Sequence, residues 1–169
     1  MKKYLVLLLI VICSFGFSKT EAVKPVDFKV SLEDGGVFPA FVLESLDGKK
    51  ELSTDKFEKN KKTLIVIAAE WCPDCQRELP EVEKFYQKNK QKYNMAVIFI
   101  NVRSSEMRAQ AYMDAYGYGF PAYYDYSGKV LEGTGTDAVP TNIFLDANGK
   151  ISDVVIGTMK ESEIAEKLK

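Results

Sequence analysis

The sequence predicts an α/β fold in which one mixed central sheet is flanked by helices, and three observations carry that prediction. Two all-apolar runs, residues 64–69 and 95–100, have the length and composition of strands buried on both faces. Between them lies an amphipathic stretch with Leu79, Val82, Phe85 and Tyr86 on one helical face, so strand, helix and strand form a right-handed parallel crossover. Further on, residues 141–145 and 151–156 flank Asn148-Gly149, a turn signal that makes an antiparallel hairpin. Parallel and antiparallel pairs in one short domain require a mixed sheet.

Taken in order, the chain opens with Lys2 and Lys3, an apolar run over 4–13, and then the small residues Gly16 and Ser18. This basic, apolar and small-residue succession describes a secretory signal over 1–18, with cleavage after Ser18 fitting best and after Ala22 next. The run is shorter than the roughly 20 residues of a membrane-spanning helix. Cys13 ends the run behind Ile10, Val11 and Ile12, where a lipidation signal wants a small residue directly before the cysteine. The expectation is therefore a discarded signal and an exported protein, with a lipid or membrane anchor as the less favoured alternative. Residues 19–37 read as a linker that ends near the turn signal Asp34-Gly35-Gly36, and residues 38–169 as one domain.

Within that domain, residues 38–43 alternate into a short strand, and Asp47-Gly48 turns it into a partner ending at Leu52. Ser53 is placed to cap a short helix through Phe57. Strand 64–69 follows, then the long helix to about Lys90, then strand 95–100. Ser104 is expected to start another helix, with Met107, Ala111 and Ala115 at helical spacing and Gly117 and Gly119 as its stop. Residues 120–125 read as a third strand. After the hairpin, Thr158 with Glu161 reads as a capping box for a final helix to Leu168.

Composition excludes more than it names. The chain has 169 residues, 46% of them hydrophobic, enough for one core, and a formal net charge of −1 with no basic stripe to hold nucleic acid. It has no histidine, which removes His-based triads, Cys–His proteases and His-ligated zinc or copper sites together. Its three cysteines are too few for a disulfide-stapled scaffold, and two of them stand three positions apart in a domain with its own core. A structural thiolate–metal site wants about four ligands, so no metal is expected.

Those two cysteines belong to Trp71-Cys72-Pro73-Asp74-Cys75, set where strand 64–69 passes into the long helix. The free N–H groups and partial positive charge at a helix N-terminus favour a thiolate at Cys72. Cys75, three residues on, lies on the same face, close enough to close a disulfide. That is the geometry of a reversible dithiol, and it reads as a thiol–disulfide exchanger. A static structural disulfide is the plain alternative. Asp74 suits the helix dipole while its charge opposes the neighbouring thiolate, which leans the couple toward reduction. Glu78 reads as a surface helix residue near the dithiol. The tyrosines 112, 116, 118, 123, 124 and 126 read as packing around the sheet, and Pro80 as a kink without a chemical role.

Several segments resemble one family. AAEWCPDCQRELP resembles the active-site segment of thioredoxin-fold proteins, and VPTNIFLDANGKI their second mark, in which Pro140 stands at the place of a cis-proline facing the dithiol. FPAFVLESLDGKKELS resembles the N-terminal hairpin of the TlpA/ResA-type extracytoplasmic thioredoxins. INVRSSEMRAQAYMDAYGYGFPAYYD resembles their helix–strand insertion, and VVIGTMKESEI their last strand and helix. The resemblance covers residues 38–168. It implies a thioredoxin fold with a hairpin and an insertion, and a protein thiol–disulfide oxidoreductase whose only redox group is the Cys72–Cys75 disulfide, without a cofactor.

The resemblance also implies roles. Cys72, exposed, is the nucleophile and Cys75, more buried, the resolving thiol; Pro140 removes an N–H near the sulfurs. The Val139 backbone pairs with an extended substrate, Trp71 covers one side, and Pro73 and Asp74 complete the substrate surface. Two departures stand out. Val66 occupies the place of the buried aspartate of cytosolic thioredoxins, and Ser104 that of the glutamate of ResA-type proteins. Glu70 and Glu106 are the candidate proton acceptors in their stead, with a water molecule as the alternative. The expected partners are exported proteins bearing disulfides or dithiols and a membrane-bound thiol electron donor, with the protein a monomer. Disulfide formation is the alternative direction, and a non-catalytic binding or chaperone module the alternative class.

Overall fold

The structure, a computed structural model, describes residues 35–39, 41–48, 51–53 and 57–169. The expected signal with Cys13, nearly all of the linker, and residues 54–56 of the helix expected after Ser53 lie outside the described residues. Phe57 itself stands in a bend.

Two strands open the described chain, β1 (Val42–Glu44) and β2 (Glu51–Ser53), paired antiparallel as Leu43 with Leu52. The main sheet has five strands: β3 (Thr63–Ala68), β4 (Asn94–Ile100), β5 (Ala122–Asp125), β6 (Thr141–Leu145) and β7 (Ile151–Ile156). Their spatial order is β5-β4-β3-β6-β7, parallel from β5 through β3 and antiparallel from β3 to β7. Four helices accompany them among the described residues: α1 (Pro73–Asn89), α2 (Glu106–Tyr116), α3 (Lys129–Thr134) and α4 (Glu161–Lys167). The predicted mixed sheet flanked by helices is present.

The centre of the sheet explains the order. Every residue of β3 is buried, as are Met95 through Ile100 of β4 and all of β6, so these three strands are covered on both faces. Phe85 from α1, Phe99 from β4 and Phe144 from β6 are the largest of the fully buried side chains. The sheet's outer strands are each fastened at one end. On β7, Gly35 N–H donates to the Ile151 carbonyl and Ile151 N–H to that of Gly36, both at 2.7 Å, and Val37 bridges to Lys150. Residues 35–37, expected in the linker, are thus joined to the sheet. On β5, Leu46 N–H donates to the Ala122 carbonyl at 3.0 Å, and Ser45 bridges to Tyr123.

Two helices start or face differently from the sequence expectation, and one was not expected. Ser105, not Ser104, caps α2, its Oγ accepting from Arg108 N–H at 3.3 Å. The buried face of α2 is Ala109 and Met113, whereas Met107, Ala111 and Ala115 are exposed. Small and apolar residues surround this helix on every side, so periodicity alone could not select the packed stripe. Lys160, not Thr158, precedes α4, and the Glu163 carboxylate accepts from its N–H at 2.6 Å. Thr158 instead donates its hydroxyl to the Asp74 carbonyl at 3.3 Å, tying the approach of α4 to the first turn of α1. The unexpected element is α3. Its N-cap, Gly128, has no side chain, and the buried Asp125 serves in its place, Oδ2 accepting from Val130 and Leu131 N–H at 2.9 and 3.3 Å.

Candidate active site

The site is built where β3 ends and α1 begins. Cys72 is the N-cap of α1 in an extended conformation, with Pro73 at the first helical position, where its missing N–H costs nothing. Cys72 Sγ accepts from Cys75 N–H at 3.4 Å, one of the orphan donors of a helix start. Both cysteines are thiols. Cys75 is fully buried and its sulfur accepts from Ala69 N–H at 3.5 Å. Burial pushes the Cys75 thiol well above the ordinary cysteine range, with the Cys72 sulfur and the Glu78 charge adding to the effect and the Ala69 N–H opposing it.

Cys72 is 6% exposed, so the thiol expected from the sequence to be exposed is instead buried. It is covered partly by the loop before β6, since Cys72 Sγ donates to the Val139 carbonyl at 3.4 Å. The Val139–Pro140 bond is cis, and Pro140 is buried. Half-buried Trp71 lies on the other side, its indole N–H donating to the Val102 carbonyl at 2.7 Å. Pro73 is exposed. Asp74 is paired with Arg77 on the same helix, which offsets the charge that the sequence set against the thiolate.

The carboxylates fall out differently from their sequence reading. Glu78, read as a surface residue, is fully buried. Its Oε1 accepts from Asn142 Nδ2 at 2.8 Å and from Met159 N–H at 2.9 Å, while Oε2 is buried without a hydrogen-bond partner. Burial pushes the carboxyl up to about 7 against the pull of those two donors. The signal was present in the spacing: Cys75, Glu78, Leu79, Val82 and Phe85 form one buried stripe of α1. Asn142, which orients Glu78 from β6, carried no signal.

Glu70 is also buried, at 6% exposure, but it is turned toward the insertion. Its Oε2 accepts from Ser104 Oγ at 2.7 Å, and Oε1 stands 3.5 Å from Arg108 Nε. Glu106 is half-buried in the first turn of α2 and interacts with Tyr126. Of these three carboxylates, Glu78 is the one whose charge acts on Cys75. No group of three or more His, Cys, Asp or Glu residues suited to a metal occurs among the described residues.

A dithiol at the head of a helix, in a sheet of this order, defines a thioredoxin-fold thiol–disulfide oxidoreductase. The comparisons with known proteins agree. The Redoxin family model matches residues 33–168. Thiol-disulfide oxidoreductase ResA of Bacillus subtilis strain 168 is 32% identical over 158 residues, covering 94% of this chain and 86% of that protein. Thioredoxin-like protein YneN of the same strain is 33% identical over 141 residues, covering 83% of this chain and 81% of that protein. Among solved structures, the exposed lipoprotein thioredoxin Etrx1 of Streptococcus pneumoniae strain TIGR4 is similar at 27% identity and a TM-score of 0.69, covering 77% of this chain and 98% of that one. The chain belongs to the Redoxin family, among the ResA/TlpA-type thiol–disulfide oxidoreductases.

Proposed function

We propose that the protein works outside the cytoplasm and reduces disulfides of exported proteins with its Cys72-Pro73-Asp74-Cys75 dithiol. The observation that carries this reading is the pairing of a helix-capping thiol, in contact with the Val139 carbonyl beside the cis Pro140, with a fully buried second thiol one turn behind it. The Cys72 thiolate attacks one sulfur of the substrate disulfide, forming a mixed disulfide and releasing the other substrate sulfur as a thiolate that takes a proton from water. Cys75 then gives up its proton and attacks Cys72 Sγ. The substrate leaves as a dithiol, and the Cys72–Cys75 disulfide holds the oxidising equivalents, two electrons having passed to the substrate.

Glu78 is suited to take the Cys75 proton. A carboxyl held near 7 is about half ionised at neutral pH, and its unpartnered Oε2 is free to receive a proton. Glu70 and Glu106, expected as acceptors from the sequence, face Ser104, Arg108 and Tyr126; Glu70 Oε1 also lacks a hydrogen-bond partner but stands 3.5 Å from the Arg108 guanidinium, which opposes its taking a proton. The exit of the protein from the cytoplasm rests on the sequence pattern over 1–18, which would leave residues 19–37 as the lead-in to a domain over 38–169. Regeneration then calls for a membrane-bound thiol donor.

A reductase is expected to show a Cys72–Cys75 potential below about −180 mV and a disulfide-forming oxidase one above it. Insulin reduction by the wild-type protein and its loss in Cys72→Ser test the catalytic reading; equal rates in the two would refute it.

A further inference from the structure

The chain carries three arginines against twenty lysines, and all three stand around the dithiol. Arg77 is paired with Asp74, and Arg108 reaches the buried Glu70. Arg103 is different. It is exposed and has no carboxylate partner among the described residues, and its guanidinium lies over the Trp71 ring at 6.0 Å. Its backbone has φ +54°, the left-handed region, which a long side chain seldom adopts and which persists only where the surroundings enforce it.

The surroundings do enforce it. The carbonyl before Arg103, that of Val102, accepts from the Trp71 indole at 2.7 Å, and Arg103's own carbonyl accepts from Arg108 Nη1 at 3.3 Å. Arg108 is in turn held against Glu70, which also takes the Ser104 hydroxyl. A buried carboxylate directly before Trp71-Cys72 thus anchors a loop whose outward product is one unpaired guanidinium beside the nucleophile. An arginine stacked on an indole is weakly hydrated and keeps its donor fork free for a carboxylate. Exposed Asp137, two residues before Val139, places negative charge on the opposite lip, and Glu106 in the first turn of α2 is engaged with Tyr126.

Resting on the thiol–disulfide reading above, we propose that Arg103 selects the substrate: the protein prefers disulfides whose cysteine is flanked by an acidic side chain on an extended segment. That carboxylate docks on the guanidinium over Trp71 while the backbone passes Val139. Glu70, Ser104 and Arg108 are positioning residues for this contact. The redox step is unchanged; only the encounter is selected.

The test uses the full dithiol protein and three disulfide peptides with amidated C-termini, identical except for Glu, Gln or Lys beside the attacked cysteine. The wild type is expected to reduce the Glu peptide with a kcat/KM about fivefold above the Gln peptide, carried mainly by KM, with Lys lower still. The preference shrinks in high salt, as a partly exposed ion pair requires. Arg103→Asn, which suits a left-handed backbone, removes the preference, and Arg103→Lys restores it in part. A wild type that treats the three peptides alike, or a preference that survives in Arg103→Asn, overturns the proposal. Failure to reduce any of the three peptides, with Cys72→Ser behaving the same, would instead overturn the catalytic reading on which it rests.

Discussion

Replacing Glu78 by Gln gives the most quantitative test of the site. The Glu78 carboxyl moves from an ordinary 4.5 to about 7 on folding. The folded chain therefore binds this proton more tightly than the unfolded chain. The stability it contributes is complete below pH 4.5 and is lost as the pH rises through about 7, after which folding must bury a carboxylate. At about 1.4 kcal/mol per unit, that change amounts to about 3 kcal/mol between pH 4.5 and 8.5. Gln cannot titrate. Its amide also places two N–H donors where Oε2 has no partner, a cost of about 1–3 kcal/mol that does not vary with pH. Urea unfolding of reduced wild type and Glu78→Gln across this range should show the wild type losing about 3 kcal/mol relative to the variant. Asp125, also pushed up by burial, titrates in both proteins and cancels in the difference. A difference that stays flat with pH would refute the buried, proton-holding Glu78.

Other outcomes follow from the same contacts. Cys75→Ala should accumulate a mixed disulfide through Cys72 that survives non-reducing electrophoresis, whereas Cys72→Ser should trap nothing; a wild-type-like rate of substrate release from Cys75→Ala would contradict the resolving role. Glu78→Gln should slow that resolving step at least about tenfold at pH 7 while leaving the first attack by Cys72 nearly intact, as read by single-turnover quenching. Asp125→Ala leaves the Val130 and Leu131 N–H groups without their acceptor and should cost about 2 kcal/mol in chemical denaturation. Phe99→Ala, in the middle of β4, should cost about 3–5 kcal/mol through the cavity it leaves.

The strands of the main sheet were legible because their chemistry is unconditional: a run such as 64–69 or 95–100, apolar on both sides, has no soluble alternative. The dithiol was legible for a similar reason, since few other uses exist for Cys72 and Cys75 at a strand–helix junction. What stayed hidden depended on tertiary partners. The face of α2 is decided by what Ala109 and Met113 meet, and α3 by an acceptor, Asp125, that lies outside the helix itself. Glu78 sat on a readable stripe, but a charged residue inside a core is excluded by default until Asn142 and the Met159 N–H come into view. Glu70 shows the reverse: closeness in sequence to Cys72 suggested chemistry, and the fold turned it toward the loop that carries Arg103.

The fastened rims of the main sheet have a consequence for company. Open backbone edges invite strands from neighbouring molecules. Here residues 35–37 occupy the start of β7, and the β1–β2 turn occupies part of β5. Incoming chains thereby lose much of the purchase they would find for indiscriminate stacking at either border. On the function proposed above, the backbone at Val139, beside the sulfur, would be left as the productive landing place, so a visiting segment would be steered to the one spot where contact leads to reaction.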